Sequence, residues 1–438
     1  MPTWLRSHFI VASSIVLLCS ASPRVLIAWH ADAADLIKAY SDAGTYLSPA
    51  LNLIEQWSFL NNSGEPDVHR TPGYPLFLAV IMSLVDRDMH NVLILQAIIL
   101  SFQVLALYWL ARLLLPPMMA FFGAILASFS PWGIVLAAVP MTEGLFLLLL
   151  TLIFLAGNFT KALHSPAAII IGGSCVGLLA AAAVLVKPIW PLVILISGAL
   201  FLHYGPRRKK AWLLLAVMLV SSLTPLAMWR ERNRREGQFD GISDIVGVTV
   251  WRYLAWRVKA QATGRDYRIR DEEWARLDKG AWKLPPQEAY DEHWRRAKEI
   301  FRQHPFLTAY CFMKSAGEHI LNPSPDILRA ARLHFFGEFV VFALLWGGLL
   351  FLACLSWPCM TNRGCDVGVI DRGYLLTILV ICLLLALSSG ISFGAGSRLR
   401  APLELIVPLL ASVGFLHKVR RLGGRQYRSC SPVSIGMW

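Results

Sequence analysis

Five short stretches hold residue types that can move a proton or grip a phosphate. In Tyr40-Ser41-Asp42-Ala43-Gly44-Thr45-Tyr46, Asp42 follows an apolar run and Tyr46 falls one helical turn later. His69-Arg70-Thr71-Pro72-Gly73-Tyr74-Pro75 sets an imidazole, a guanidinium and a phenol side by side. Met141-Thr142-Glu143 offers a second carboxylate, Lys187 precedes Pro188, and Arg398 and Arg400 flank Leu399. A carboxylate can deprotonate a hydroxyl, and guanidinium forks match phosphate oxygens. Each group also has a plainer role open to it. Asp42 can cap a helix, Glu143 can sit at a helix start where the dipole favours it, and His69 can be a solvated loop residue. Arg70, Tyr74, Arg398 and Arg400 can anchor helices at a membrane surface, and Lys187 can snorkel.

The elements that position these groups are read from the distribution of apolar residues. The 438 residues carry 41 Lys and Arg against 28 Asp and Glu, a net charge of +13, yet only 16% are charged and 56% are hydrophobic, with a mean hydropathy of +0.54. Soluble globular chains have roughly 25% charged residues. The apolar material lies in runs of about 17 to 25 residues, the length that crosses a bilayer. Disorder, a disulfide scaffold and a soluble α/β enzyme are set aside on that ground. The eight cysteines are scattered, and Cys354, Cys359 and Cys365 match no zinc spacing. The basic excess sits beside apolar runs, as in Arg207-Arg208-Lys209-Lys210, so no nucleic-acid partner is expected.

About ten spans are predicted: 9–29, 92–115, 118–139, 145–159, 167–186, 189–204, 211–229, 335–357, 374–387 and 403–416. The stretch 74–85 is too short and reads as an interfacial helix packed on the bundle. The resulting division is 1–29, a first transmembrane helix; 30–90, an outer loop with interfacial helices; 91–229, a transmembrane bundle; 230–334, an outer helical segment; 335–417, C-terminal transmembrane helices; and 418–438, a basic cytoplasmic tail. Alternating the spans places Lys161, the 207–210 cluster, Arg363, Arg372 and the tail on one side, which the positive-inside rule makes cytoplasmic. Asp42, Arg70, Lys187, Arg398 and Arg400 then fall on the outer side, where two cations run against that rule. Arg24, near the end of the first span, is expected to snorkel to headgroups. The outer segment is too long for a bare connection, and its charged stretches 271–279 and 288–301 have helical periodicity ended by His304-Pro305. Arg230, Arg232, Arg234 and Arg235 read as a solvated run.

Asp42 after the first span, RTPGYPLFL (70–78), PMTEGLF (140–146), WRERNRREGQF (229–239) and SRLRAPLELIVPLL (397–410), in this order, resemble the GT-C glycosyltransferases. Within them the chain is similar to the bacterial branch of protein O-mannosyltransferases and the lipid A aminoarabinose transferase. The resemblance implies an all-α, polytopic membrane enzyme of the GT-C type. Such an enzyme takes a sugar from a polyprenyl-phosphate carrier and moves it, with inversion, to an acceptor hydroxyl on the outer face of a bacterial inner membrane. It implies Asp42 as catalytic base and Arg398 and Arg400 at the donor phosphate; Lys187, before Pro188 at an outer span end, is by its position a further candidate phosphate contact. Leu399 stands where the family has a tyrosine. Relatives pair two acidic residues in the first loop, whereas Ala43 follows Asp42, so Glu143 is the candidate for the second. Arg70, Tyr74, His69 and Tyr46 are the candidate substrate contacts. The acceptor is a glycolipid, a glycan or a protein. No cofactor is certain, but a divalent metal is held by some relatives, and Asp42, Glu143 and His69 form a loose site if the fold gathers them. The rival readings are an O-antigen-type polymerase or ligase, resting on loop arginines and a histidine, and a transporter, for which internal repeats are lacking.

Overall fold

The protein was analysed as a computed structural model, which describes residues 3–39, 41–189, 191–204, 209–266, 272–281, 283–321, 338–361, 371–391 and 401–422. A helix occupies each of the ten apolar segments. α1 (Thr3–His30) runs through Pro23. α2 (Ala33–Ala39) and α3 (Ser41–Gln56) order the polar segment that follows, and α4 (Gly73–Leu84) is the short apolar helix. Next come α5 (Met89–Leu114), α6 (Pro117–Ser128), α7 (Pro131–Ala138), α8 (Thr142–Phe159), α9 (Pro166–Val186), α10 (Pro191–Tyr204) and α11 (Lys209–Glu236). Among the described residues there is no strand, only an isolated bridge between Leu60 and Pro66.

α1, α5, α8, α9, α11 and the helix that begins at Arg372 are long and apolar enough to cross a membrane. The run 118–139, expected as one span, is broken: α6 and α7 meet at a 56° bend and would make a seventh if counted together. The cause is Pro131, which has no N–H and clashes with the preceding turn. α10, with 14 residues, α17 (Glu338–Cys354), with 17, and α20 (Leu403–Leu422), which ends in charges, are shorter or more polar than a full apolar span. The molecule is thus all-α with a multi-pass membrane architecture.

The bend also corrects the reading of Arg24, which is buried and not snorkelled. Its Nη1 donates to the Ser20 carbonyl at 2.7 Å, the Ser20 hydroxyl at 2.9 Å and the Ser128 carbonyl at 3.2 Å, just before the break. On the far side of the break the Ser130 hydroxyl donates to the Glu404 carboxylate. A helix that loses backbone partners inside a membrane must find others there, and these side chains supply them. Elsewhere the spans pack through small residues, as apolar helices in lipid do. Gly177 of α9 faces the Met218 carbonyl of α11, where a Cβ would stand 2.6 Å away.

The segment that follows the apolar part of α11 is a second, smaller helical body. α11 continues to Glu236, so the arginine run forms its last turns. α12 (Ile245–Thr249), a π-helical turn at 250–255, α13 (Trp256–Ala262), α14 (Glu272–Ala281), α15 (Pro286–Gln303) and α16 (Pro305–Leu321) follow. Its core is aromatic: Trp251 stacks on Trp274 at 3.7 Å between centroids, and Trp256 leans on Trp274 at 5.0 Å. After α17 come α18 (Trp357–Thr361) and α19 (Arg372–Leu387), which a 3-10 turn, Ser388–Ile391, prolongs. Tyr374 of α19 donates to the Phe154 carbonyl at 2.7 Å, tying α19 to α8.

Two outcomes follow. Gly177→Val should push α9 from α11 and lower stability by about 1–3 kcal/mol, read as a drop in the thermal midpoint of the detergent-purified chain; Gly198→Ala, with open space around it, should leave that midpoint unchanged. His293, buried beside Trp251, has its pKa lowered from 6.5 mainly by burial, against an opposing pull from Asp278. The unfolded chain therefore binds this proton more readily, so the stabilisation is complete above pH 6.5 and is lost as the pH falls below it. The protection factors of α15 amides, corrected for the intrinsic pH dependence of exchange, should fall between pH 7 and pH 5, and His293→Gln should flatten that dependence.

Candidate active site

Arg70 is the hub of one end of the bundle. Its guanidinium donates to three groups on α3: Nε to the Thr45 hydroxyl at 2.9 Å, Nη1 to the Tyr46 hydroxyl at 3.1 Å and Nη2 to the Asp42 carboxylate at 2.8 Å. Asp42, Thr45 and Tyr46 share a face because they lie three and four residues apart in the first turns of α3. The Arg70 side chain is 9% exposed and that of Asp42 is 31% exposed, so the carboxylate is the partner that meets solvent. Burial works against the Arg70 charge, but the Tyr46 hydroxyl and the Asp42 carboxylate raise its pKa above the ordinary value.

The cluster continues inward through aromatic rings. Tyr46 meets Tyr74 edge-on at 5.2 Å. Tyr74, the second residue of α4, donates to Gln96 Oε1 at 2.8 Å, and Gln96 Nε2 donates to the carbonyls of Ala137 and Val139 at 3.0 and 2.7 Å. Those carbonyls belong to the end of α7, where Pro140 interrupts the helix. Gln96 thus fixes the link that starts α8, and with it Glu143, which lies within electrostatic reach of the Tyr74 hydroxyl. Glu143 is 3% exposed and pairs with Lys187 Nζ at 3.1 Å. Lys187 reaches it from the end of α9, which packs along α8, and α4 sits against that same end: a Cβ on Gly73 would stand 2.7 Å from the Leu185 and Val186 backbone.

His69 faces the other way. Its Nδ1 lies 2.6 Å from Asp244 Oδ1, and the Ser243 hydroxyl donates to its carbonyl at 2.6 Å. The turn that carries it is built by Asp67, whose carboxylate accepts the amides of His69 at 2.7 Å and Arg70 at 3.1 Å. Burial pushes the Asp67 carboxyl above the usual carboxylate range, and those amides pull against it. Arg232 closes the turn from α11, donating to the carbonyls of Asp67 at 2.8 Å and Phe59 at 2.6 Å while lying over the Trp229 ring. It is a brace between α11 and the first loop, not a member of a solvated run.

The fold therefore gathers Asp42, Tyr46, Arg70, Tyr74, Glu143 and Lys187 from four separate stretches, with His69 on the flank. Arg398 and Arg400 lie outside the described residues. Asp42, Glu143 and His69 do not form the loose metal site expected of them: each turns to a different partner, Arg70, Lys187 and Asp244. Among the described residues no three His, Cys, Asp or Glu side chains are grouped to hold a metal ion. Sequence reading missed Thr45, Gln96 and Arg232. Gln96 carried a signal, a strong hydrogen-bonding side chain inside an apolar run; Thr45 and Arg232 carried none.

No protein-family model matches the chain, and no curated protein matches it by sequence. Among solved structures, the chain is similar to ArnT from Cupriavidus metallidurans in the apo state, at 14% identity and TM-score 0.40 over 94% of this chain and 78% of that one. The same protein bound to undecaprenyl phosphate gives 14% identity and TM-score 0.42 over 95% and 78%. The archaeal oligosaccharyltransferase AglB from Archaeoglobus fulgidus, in complex with an inhibitory peptide and a dolichol-phosphate, gives 12% identity and TM-score 0.46 over 98% of this chain and 53% of that one.

Removing one member of a buried pair costs about 3–5 kcal/mol, because the other charge stays behind in a poor solvent for it. Lys187→Met should therefore destabilise the chain strongly, and adding Glu143→Gln to it should restore part of the loss. A thermal double-mutant cycle measures this; additive losses would show that the two side chains are not coupled.

Proposed function

We propose that this protein is a GT-C-type membrane glycosyltransferase that moves a sugar from a polyprenyl-phosphate carrier to an acceptor hydroxyl, with inversion, on the outer face of a bacterial inner membrane. The observation that carries the reading is the Asp42–Arg70 pair, in which the carboxylate is the exposed member, set beside a buried Glu143–Lys187 pair at the same end of an apolar bundle. Asp42, Arg70 and Glu143 belong to the stretches whose order resembles the GT-C enzymes.

In this reading an acceptor hydroxyl binds at the open side of Asp42. Its oxygen attacks the anomeric carbon, the bond from that carbon to the phosphate oxygen breaks with its electron pair, and the hydroxyl proton passes to the Asp42 carboxylate. Arg70 holds that carboxylate in one rotamer by a charged hydrogen bond. The pairing fixes the direction of the Asp42 carboxylate, so that its free oxygen can meet the acceptor hydroxyl in one orientation. The leaving polyprenyl phosphate departs ionised and needs cations more than an acid. Arg398 and Arg400 are the proposed partners, by the resemblance, with Lys187 held ready by Glu143. Tyr46 and the fully buried Tyr74 stand behind the Asp42–Arg70 pair and support it from within. Glu143, buried and paired, serves here as an anchor for Lys187 more than as a second base.

The O-antigen-type ligase reading has one observation in its favour, the His69–Asp244 pair, which orients an imidazole as a base. Two variants separate them. Mass spectrometry of envelope lipids and glycans from a host lacking this chain should show one missing sugar and an accumulated lipid-linked precursor, restored by the wild-type chain. Asp42→Asn should lower transfer by roughly 10²–10⁴-fold with normal membrane abundance, while His69→Gln should leave most of it. The opposite pattern selects the ligase, and full activity in Asp42→Asn rejects the proposed base.

A further inference from the structure

α15 and α16 are successive helices of the outer segment, joined at His304-Pro305, but they are amphipathic in opposite senses. α15 buries Ala289, His293 and Ala297 and turns Arg295, Glu299 and Arg302 outward, as a helix in water does. α16 is inverted. Its most buried positions are small or polar, Cys311, Ser315, Ala316 and His319, flanked by the partly buried Leu307, Phe312 and Ile320. Its outer face carries Phe306, Tyr310, Met313 and Leu321, spaced as one helical stripe, with Phe306 90% exposed and the others more than half exposed.

The inner face is joined to its neighbours by polar contacts. Arg257 donates to the Ser315 hydroxyl at 2.5 Å and to both Glu318 oxygens at 2.9 and 2.8 Å. His319 Nδ1 lies 3.1 Å from the Ser389 hydroxyl, in the turn that ends α19. The indole of Trp346, in α17, donates to the Ile320 carbonyl at 2.9 Å. Small and polar groups between helices with large apolar groups outside is the arrangement of helices in lipid, where the apolar exterior costs nothing and hydrogen bonds hold the inside together. The C-terminal half of α16 is also fastened to two helices of the bundle. Its stripe ends beside α17, whose Leu344, Leu345 and Phe351 are themselves exposed. Lys314 stands next to the stripe, its Nζ 5.7 Å from the Tyr310 ring centre, pairing an aromatic and a cation as at a headgroup boundary.

We infer that α16 lies in the lipid leaflet on the active-site side, with Phe306, Tyr310 and Met313 inserted at the headgroup and acyl boundary, so that the outer segment is seated on the bilayer as well as on the bundle. The occupant of the stripe is lipid, and Pro305 is the corner at which the chain passes from water to membrane. The inference is independent of sugar transfer.

The wild-type chain in nanodiscs of phosphatidylethanolamine and phosphatidylglycerol, doped with a phospholipid bearing a diazirine near its headgroup, tests it without any substitution. After irradiation, residues 305–314 should be labelled several-fold more than residues 295–302 and to an extent similar to the exposed face of α9. No label on 305–314 while α9 is labelled would overturn the inference. A nitroxide at Phe306→Cys, with the eight native cysteines replaced, should collide with oxygen in preference to a water-soluble nickel chelate, at a depth of about 5–10 Å. Equal access to the chelate, as at Arg295→Cys, means that the stripe meets water; protection from both reagents means that protein covers it. Either result rejects the lipid assignment.

Discussion

A guanidinium in a site closed to water on most sides needs partners for its donors, and Arg70 finds three of them on one face of α3. That requirement organises the whole end of the bundle. It draws α3 against the loop that leads into α4, and it sets the Tyr46 ring where Tyr74 can meet it. It also leaves the Asp42 carboxylate as the exposed edge of an otherwise buried set. Arg70 can hold this place because the Asp67 turn fixes its backbone and Arg232 braces that turn from α11. A lysine has neither the planar fork nor enough donors in fixed directions to do the same.

The second organising constraint is proline inside apolar helices. Pro131 divides α6 from α7, and Pro140 separates α7 from α8. The backbone groups released at these breaks are taken up by Arg24 and Gln96, polar side chains from neighbouring spans. A break that is costly in lipid thus becomes a fixed feature, and it brings Glu143 to the site end of the bundle instead of leaving it partway down a straight helix. Stability and chemistry draw on the same contacts here, because the groups that satisfy the bent backbone also aim the functional residues.

The outer segment shows a different balance. Its core rests on stacked indoles, which bury large apolar area, while its surface pairs such as Arg295 with Glu292 are exposed and add little. Between α15 and α16 the sense of amphipathicity reverses within a few residues. Periodicity in the sequence marked α14 and α15 as helices with their apolar residues inside, and that rule of apolar inside fails for α16.

Composition and the length of apolar runs by themselves determined an all-helical, multi-pass chain, because each backbone polar group in a bilayer must be satisfied within its own helix. They also marked Asp42, Arg70, Tyr74, Glu143 and Lys187 as polar groups at helix ends, and the one-turn spacing of Asp42 and Tyr46 was legible for the same local reason. Which of these groups meet was decided only by tertiary structure. Arg70 pairs with Asp42 across 28 residues, Lys187 with Glu143 across 44, and His69 with Asp244 across 175. Pairings at such distances depend on which helices pack together, and no local periodicity encodes that. Arg24 and Arg232 make the point most clearly. Each looked like an arginine at a helix end facing headgroups or solvent, and each proved to be a brace once the neighbouring carbonyls that needed a donor were in place.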